Sequence, residues 1–445
     1  MKRIFALLLV FTLLLSGCGG KAASRDLMKG VKPSDQRSSL ITVDESEQGP
    51  FTETPWENAL IADFGMRLFR ASFKEDQNTL ISPMSILAAL AMTANGAEEE
   101  TLSQMEMVLG QSRDALNSWY QYGTVYDDNV LNSANAIWFR EDVAVEKSFL
   151  QTNADCFGAG AYQAPFDDTT VKEINSFVEK NTKGMIPEIL REVPSEAVMY
   201  LVNALAFEDK WEEEYMAHQI RDGIFTKEDG TRQNVDMMWS EENRYYENDL
   251  CMGFRKYYRS GEPNRFAFVA LLPKEGVSLQ ALVNGLDGKH LQEFLAQPEE
   301  ATVVAAIPEF ETEFDVQMGE ILEEMGMTDA FDDEKANFSG MGTYAGEDLF
   351  ISRVLHKSFI SVAEQGTRAG AATVVEMAPE AAMEPEEIKE VILNRPFLYM
   401  IWDRETNMPI FMGTFMDAQA PGTSVPAETD EIFYSPAEDP CMMEG

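Results

Sequence analysis

Histidine occurs three times in this chain of 445 residues, at positions 218, 290 and 356, and so sparse a supply restricts any Ser-His-Asp or Cys-His scheme at once. His290 lies in "LDGKHLQEF" and His218 stands among charged residues, so both read as surface positions. Past the first twenty residues the cysteines are 156, 251 and 441, an odd and sparse set that makes no disulfide framework and fits no zinc spacing. No paired histidines stand at metal spacing and no Gly-rich phosphate loop follows a strand, so neither a metal nor a cofactor is expected. Carboxylates are too abundant to single out an acid-base pair. Nothing points to a catalyst, and the chain reads as a protein that is not an enzyme.

Charge narrows the partners. With 35 Lys and Arg against 76 Asp and Glu, the formal net charge is −41. Such a surface repels phosphate backbones and argues against nucleic acid.

The N-terminus carries an address. Met1-Lys2-Arg3 precedes residues 4 to 15, "IFALLLVFTLLL", and twelve such residues are too few to cross a bilayer as a stable helix. The run reads as an export signal, residues 1 to 17. Leu15-Ser16-Gly17-Cys18 resembles the bacterial lipoprotein box, which implies lipid attachment at Cys18 and a protein held on the outer face of a membrane, or shed from it. Residues 18 to 55 are polar without a sustained apolar period and read as a flexible tether. Residues 419 to 445 are acidic and Pro-rich and read as a disordered tail.

Between the tails, 56 to 418 reads as one α+β domain. Leu60, Phe64 and Leu68 recur as one helix face. Ser82-Pro83 starts a second helix that stops at Asn95-Gly96, and a third runs from Val171 through Ile174 and Val178 to Gly184. Strands are expected at 265 to 273, 302 to 316, and in the pair "PFLYMIWD" and "PIFMGTF", joined by Arg404 to Met408 as a hairpin.

The stretch 364 to 373, "EQGTRAGAAT", is harder to place, because its composition alone reads as a flexible Gly/Ala surface loop. If extended, residues 367 to 377 put Thr367, Ala369, Ala371, Thr373, Val375 and Met377 on one small or apolar face, with Arg368 and Glu376 both on the other. Gly366 and Gly370 weaken a permanent strand and suit a backbone that changes its dihedrals.

Six segments together resemble the serpins, the serine-protease inhibitor family. "HKSFISVAEQGTRAGAATVV" (356 to 375) looks like the strand and hinge before their reactive loop, and "NRPFLYMIWDRETNMPIFMGTF" (394 to 415) like their C-terminal strands. "NTLISPMSILAALAMTANGA" (78 to 97), "LNSANAIWF" (131 to 139), "INSFVEKNTKGMIPEIL" (174 to 190) and "LVNALAFEDKW" (201 to 211) match further family segments in the expected order.

The resemblance implies a fold with a large central, mostly antiparallel sheet, two smaller sheets, eight or nine helices and an exposed reactive-centre loop. It also implies a mechanism. A target serine protease attacks the loop, and while the acyl-enzyme persists the cleaved loop inserts into the central sheet as an extra strand and traps the protease. The hinge would be Glu364, Gly366, Thr367, Ala369, Gly370, Ala371, Ala372 and Thr373, whose small residues match inhibitory members; Arg368 stands where the family often has an acid, on the outward parity. Family spacing puts the scissile bond at Glu380-Ala381, and the long segment before Asn394 leaves Ala382 and Met383 as alternatives. Glu380 suits a Glu-specific protease and the others an elastase-like one. Ser82, Ser85, Asn203 and His356 match the polar shutter beneath the sheet, and Trp211 the sheet's upper opening.

The expected partners are thus a serine protease in covalent complex and a membrane through Cys18, with the inhibitor a monomer. Two other classes fit the export signal: a non-inhibitory serpin-fold lipoprotein acting as a binding module, and an unrelated hydrolase or solute-binding lipoprotein. The small hinge speaks against the first and the missing nucleophile-base pair against the second.

Overall fold

The computed structural model describes residues 24–34, 55–122, 130–194, 196–260, 265–367, 388–419 and 423–424. Among them lie nine helices, two nine-stranded sheets and one three-stranded sheet. The architecture is α+β, as the sequence segments imply.

The helices form where expected. Pro55–Ser72 buries Phe64 and Leu68, but Leu60 is 39% exposed and so lies off the apolar face. Ser82 caps Pro83–Ala94 by accepting a hydrogen bond from the Ser85 N–H, with Pro83 at the first helical position. This helix is buried along its whole length. Asp167 caps Asp168–Asn181, which buries Ile174 and Val178 before the chain turns at Gly184 with φ +78°.

The central sheet holds the strands that matter. Leu131–Arg140, Met199–Phe207, Arg353–Ala363 and Phe310–Gln317 lie side by side in that order. Pairing alternates: the first two are antiparallel, Met199–Phe207 and Arg353–Ala363 run parallel, and Arg353–Ala363 is antiparallel to Phe310–Gln317. The parallel pair forms the seam of the sheet. Every residue of Met199–Phe207 is buried, as expected of a strand covered on both faces. One face packs on the main core and the other on Asp168–Asn181 and the turn after it, through Tyr200, Val202, Ala204 and Ala206.

Three expectations need correction. The run 302 to 316 is two strands, not one: Glu299–Pro308 belongs to the second sheet and Phe310–Gln317 to the central sheet. Pro308 has no N–H to donate, and the chain changes sheets at Glu309, whose N–H bonds to the Asp236 carbonyl instead. The stretch expected as tether is in part structured, because Arg25–Asp26 pairs with the edge strand Gly160–Ala164 while Leu27, Met28 and Val31 pack against the core. Likewise, within the acidic tail, Thr423–Ser424 pairs with Glu311 and Thr312 at the opposite edge. The hairpin of Phe397–Asp403 and Met408–Phe415 forms as read.

Candidate functional site: the seam and its hinge

At the top of the seam the strand Arg353–Ala363 ends and the chain doubles back through Glu364 and Gln365. Gly366 and Thr367 then pair antiparallel with Ala363 and Val362 on one side and with Lys210 and Asp209 on the other. These two residues therefore sit between the end of Arg353–Ala363 and Asp209–Lys210, the short strand that follows Met199–Phe207. Gly366 is required here, since its φ is +149° and a Cβ would lie 2.2 Å from the Asp209 carbonyl oxygen. Thr367 is fully buried, and its hydroxyl lies 2.5 Å from that of Tyr258.

Trp211 sits beneath this turn. Its indole N–H donates to the Ala363 carbonyl at 2.8 Å, its backbone N–H to that of Gln365 at 3.1 Å, and the Tyr215 N–H to that of Glu364 at 2.8 Å. The Trp211 ring stacks on Tyr258 with centroids 4.4 Å apart. Lys256, itself buried, bonds Glu242 at 3.0 Å and lies over the Tyr215 and Trp211 rings at 4.5 and 5.5 Å. Burial pushes the Glu242 carboxyl above its ordinary range, against the pull of Lys256.

Lower down, the four residues assigned to the shutter do meet. His356 Nδ1 lies 2.6 Å from Asn203 Oδ1, directly across the seam. The Asn203 amide nitrogen donates to the Ser85 carbonyl, the Ser85 hydroxyl and Asn135 Oδ1, each at 2.6 Å. His356 Nε2 accepts from the Ser82 N–H at 3.3 Å and faces the Ser358 hydroxyl at 2.8 Å. An oxygen facing Nδ1 and an N–H facing Nε2 assign the neutral ring with its proton on Nδ1. Burial agrees, lowering the His356 pKa to about 3.

This geometry is a sheet with a closed internal parting and a strand begun at its mouth. A family model described as "Serpin (serine protease inhibitor)" matches residues 59–418. The chain belongs to the serpin family.

Two curated serpins align along most of this chain. A serpin-like protein of Thermococcus kodakarensis is 30% identical over 434 residues, covering 94% of this chain and 99% of its own. Antithrombin-III of Homo sapiens is 28% identical over 362 residues, 77% of each chain. Among solved serpins, tengpin in its native state matches at 40% identity and TM-score 0.80, over 89% of this chain and all of its own. Tengpin in its latent state matches at TM-score 0.71 over 81% of this chain and 97% of its own.

Of the residues read from sequence, Glu364, Gly366, Thr367, Trp211, Ser82, Ser85, Asn203 and His356 all lie along this serpin seam. The hinge positions Ala369, Gly370, Ala371, Ala372 and Thr373 lie outside the described residues, as do Glu380, Ala381, Ala382, Met383 and Cys18. Sequence reasoning missed Asn135, Tyr215, Glu242, Lys256, Tyr258 and Ser358. Tyr258 is 109 residues from Thr367, and no local period marks such a pair. Cys156 and Cys251 are both buried, and no group of three or more potential metal ligands forms among the described residues.

Proposed function

We propose that this serpin inhibits serine-type endopeptidases as a suicide substrate: the protease cleaves the loop after Thr367, and the freed strand fills the seam. The observation that carries the reading is the seating of Gly366 and Thr367 between Ala363 and Lys210 at the top of a closed parallel seam. Insertion replaces one parallel pairing with two antiparallel ones, which adds a row of backbone hydrogen bonds and exchanges a weaker ladder for stronger ones. The shutter supports the same reading, since its bonds across the seam run through side chains that can repartner around an incoming strand.

The scissile bond is assigned to Glu380-Ala381, with Ala382 and Met383 as register alternatives, so the targets are Glu-specific or elastase-like proteases. The protein is exported, anchored through lipid at Cys18 and monomeric. The test is incubation with trypsin-like, elastase-like, chymotrypsin-like, subtilisin-like and Glu-specific enzymes. An SDS-stable covalent complex and release of a peptide beginning at residue 381 are expected. Cleavage of the loop by every enzyme with full retention of protease activity would refute the reading.

A further inference from the structure

One strand out from the seam, the helix Asp168–Asn181 packs over Leu131–Arg140 and its parallel neighbour Gly160–Ala164. A cleft of about 370 Å³ opens between helix and strands. That is toward the lower end for small-ligand sites, roughly 300 to 1,000 Å³. Its floor is aromatic. Trp138 and Tyr162 are register partners and stack with centroids 4.6 Å apart, and Phe177 from the helix stands edge-on to them at 6.2 and 5.4 Å. Trp138 is buried, whereas Tyr162 and Phe177 are half-buried, so apolar ring surface stays uncovered.

Donors line the rim. Lys172, Ser176 and Lys180 recur at every fourth position, which sets them in one row along the helix, and all three are exposed. Neither lysine is in an ion pair among the described residues, in a chain where acids outnumber bases two to one. Glu173 is the one carboxylate in the lining, and it is engaged: its two oxygens accept from the Ser24 N–H at 3.2 and 2.9 Å. At the floor the Trp138 indole N–H is buried without a hydrogen-bond partner among the described residues. The cleft thus combines uncovered ring surface with positive charge, and its own carboxylate is already taken.

We propose that this cleft is a binding site for a small planar aromatic anion. The ring lies against Tyr162 and Phe177, and a carboxylate or sulfonate is held through charge-assisted hydrogen bonds by Lys172 and Lys180, with the Ser176 hydroxyl between them. Each half of the recognition excludes a class. A neutral aromatic leaves the ammoniums unused, and a bare phosphate or sulfate leaves the rings uncovered. The site goes beyond the inhibitor reading and does not depend on it, since neither the seam nor its mouth lines the cleft.

The test uses the full chain and two fluorescent probes that share a ring system, 1-anilinonaphthalene-8-sulfonate and the neutral N-phenyl-1-naphthylamine. The sulfonate should saturate at one per chain and bind at least about tenfold more tightly than the neutral probe, a margin that narrows as salt is added. Changing the exposed pair together, Lys172→Gln with Lys180→Gln, should weaken the sulfonate at least about tenfold and leave the neutral probe and the thermal midpoint unchanged. Phe177→Ala should weaken both probes. Leu60→Glu, in the separate cleft between Pro55–Ser72 and Gly288–Ala296, should change neither. Sulfonate binding that survives the double lysine change, or is lost with Leu60→Glu instead, would overturn the site, as would a wild type that shows no saturation.

Discussion

Asn203 and His356 face each other across two strands that run parallel, and the 2.6 Å contact between their side chains joins the two halves of the central sheet where backbone bonds alone would otherwise do so. Asn203 also ties both strands to the buried helix below through Ser85. Asn203→Ala should strand His356 Nδ1 in the interior and leave the Ser85 hydroxyl and Asn135 Oδ1 with only each other, 3.5 Å apart. A cost of about 2–3 kcal/mol is expected, read as a lower urea midpoint of the intact protein.

The same histidine makes an acid limb in stability. His356 titrates near 3 in the fold and near its ordinary value of 6.5 when unfolded, so the unfolded chain binds the extra proton between those values. Its contribution is full above pH 6.5 and is lost as pH falls, by about 1.4 kcal/mol per unit, until about pH 3. Glu309 works the other way. Burial first, then the neighbouring Glu364, Asp236 and Glu311, raise its pKa to about 7, so it costs stability as pH rises from its ordinary 4.5 to about 7. The two oppose each other between 4.5 and 6.5, and Glu309→Gln should expose the His356 slope there in thermal midpoints against pH. A profile unchanged by that substitution would contradict this opposition.

Thr367→Arg tests the seed directly. Thr367 is fully buried against Tyr258, and a guanidinium there would be desolvated without a partner. The variant should be cleaved by the target protease at an undiminished rate while forming at least about tenfold less SDS-stable complex, a loss corresponding to 1.4 kcal/mol or more at the branch between trapping and turnover. Unchanged complex formation would show that insertion does not pass through this residue.

Gly366→Val should expel the seed without touching the shutter. A Cβ would lie 2.2 Å from the Asp209 oxygen and 2.6 Å from Lys210 Cα, in a backbone region that side chains rarely adopt. Faster amide exchange at Thr367 and Lys210, with protection at Asn203 and His356 retained, is the expected outcome.

Much of this was legible in the chain itself, for a physical reason. Ser82-Pro83 is a local signal, a cap and a first-turn proline, and the helix starts where they place it. The alternation from 367 onward was also local, and the burial of Thr367 follows its parity. The turn cradle was not legible. Lys256, Glu242 and Tyr258 reach Trp211, Tyr215 and Thr367 from strands distant in sequence, and a buried Lys-Glu pair looks on paper like any other surface charge. The break at Pro308 was misread because apolar residues run on both sides of it, and only the change of sheet separates them.

A sheet offers its unpaired margins to any strand that passes. Here the two outer margins of the central sheet are occupied by short pieces of the chain's own ends, Arg25–Asp26 along Gly160–Ala164 and Thr423–Ser424 along Glu311 and Thr312. Exposed margins are where sheets recruit strangers, and two-residue strands offer little to extend. The chain's termini thus act as doorkeepers. The mouth beside Trp211 is kept differently, by Gly366 and Thr367 paired with Ala363 and Val362 on one side and with Lys210 and Asp209 on the other.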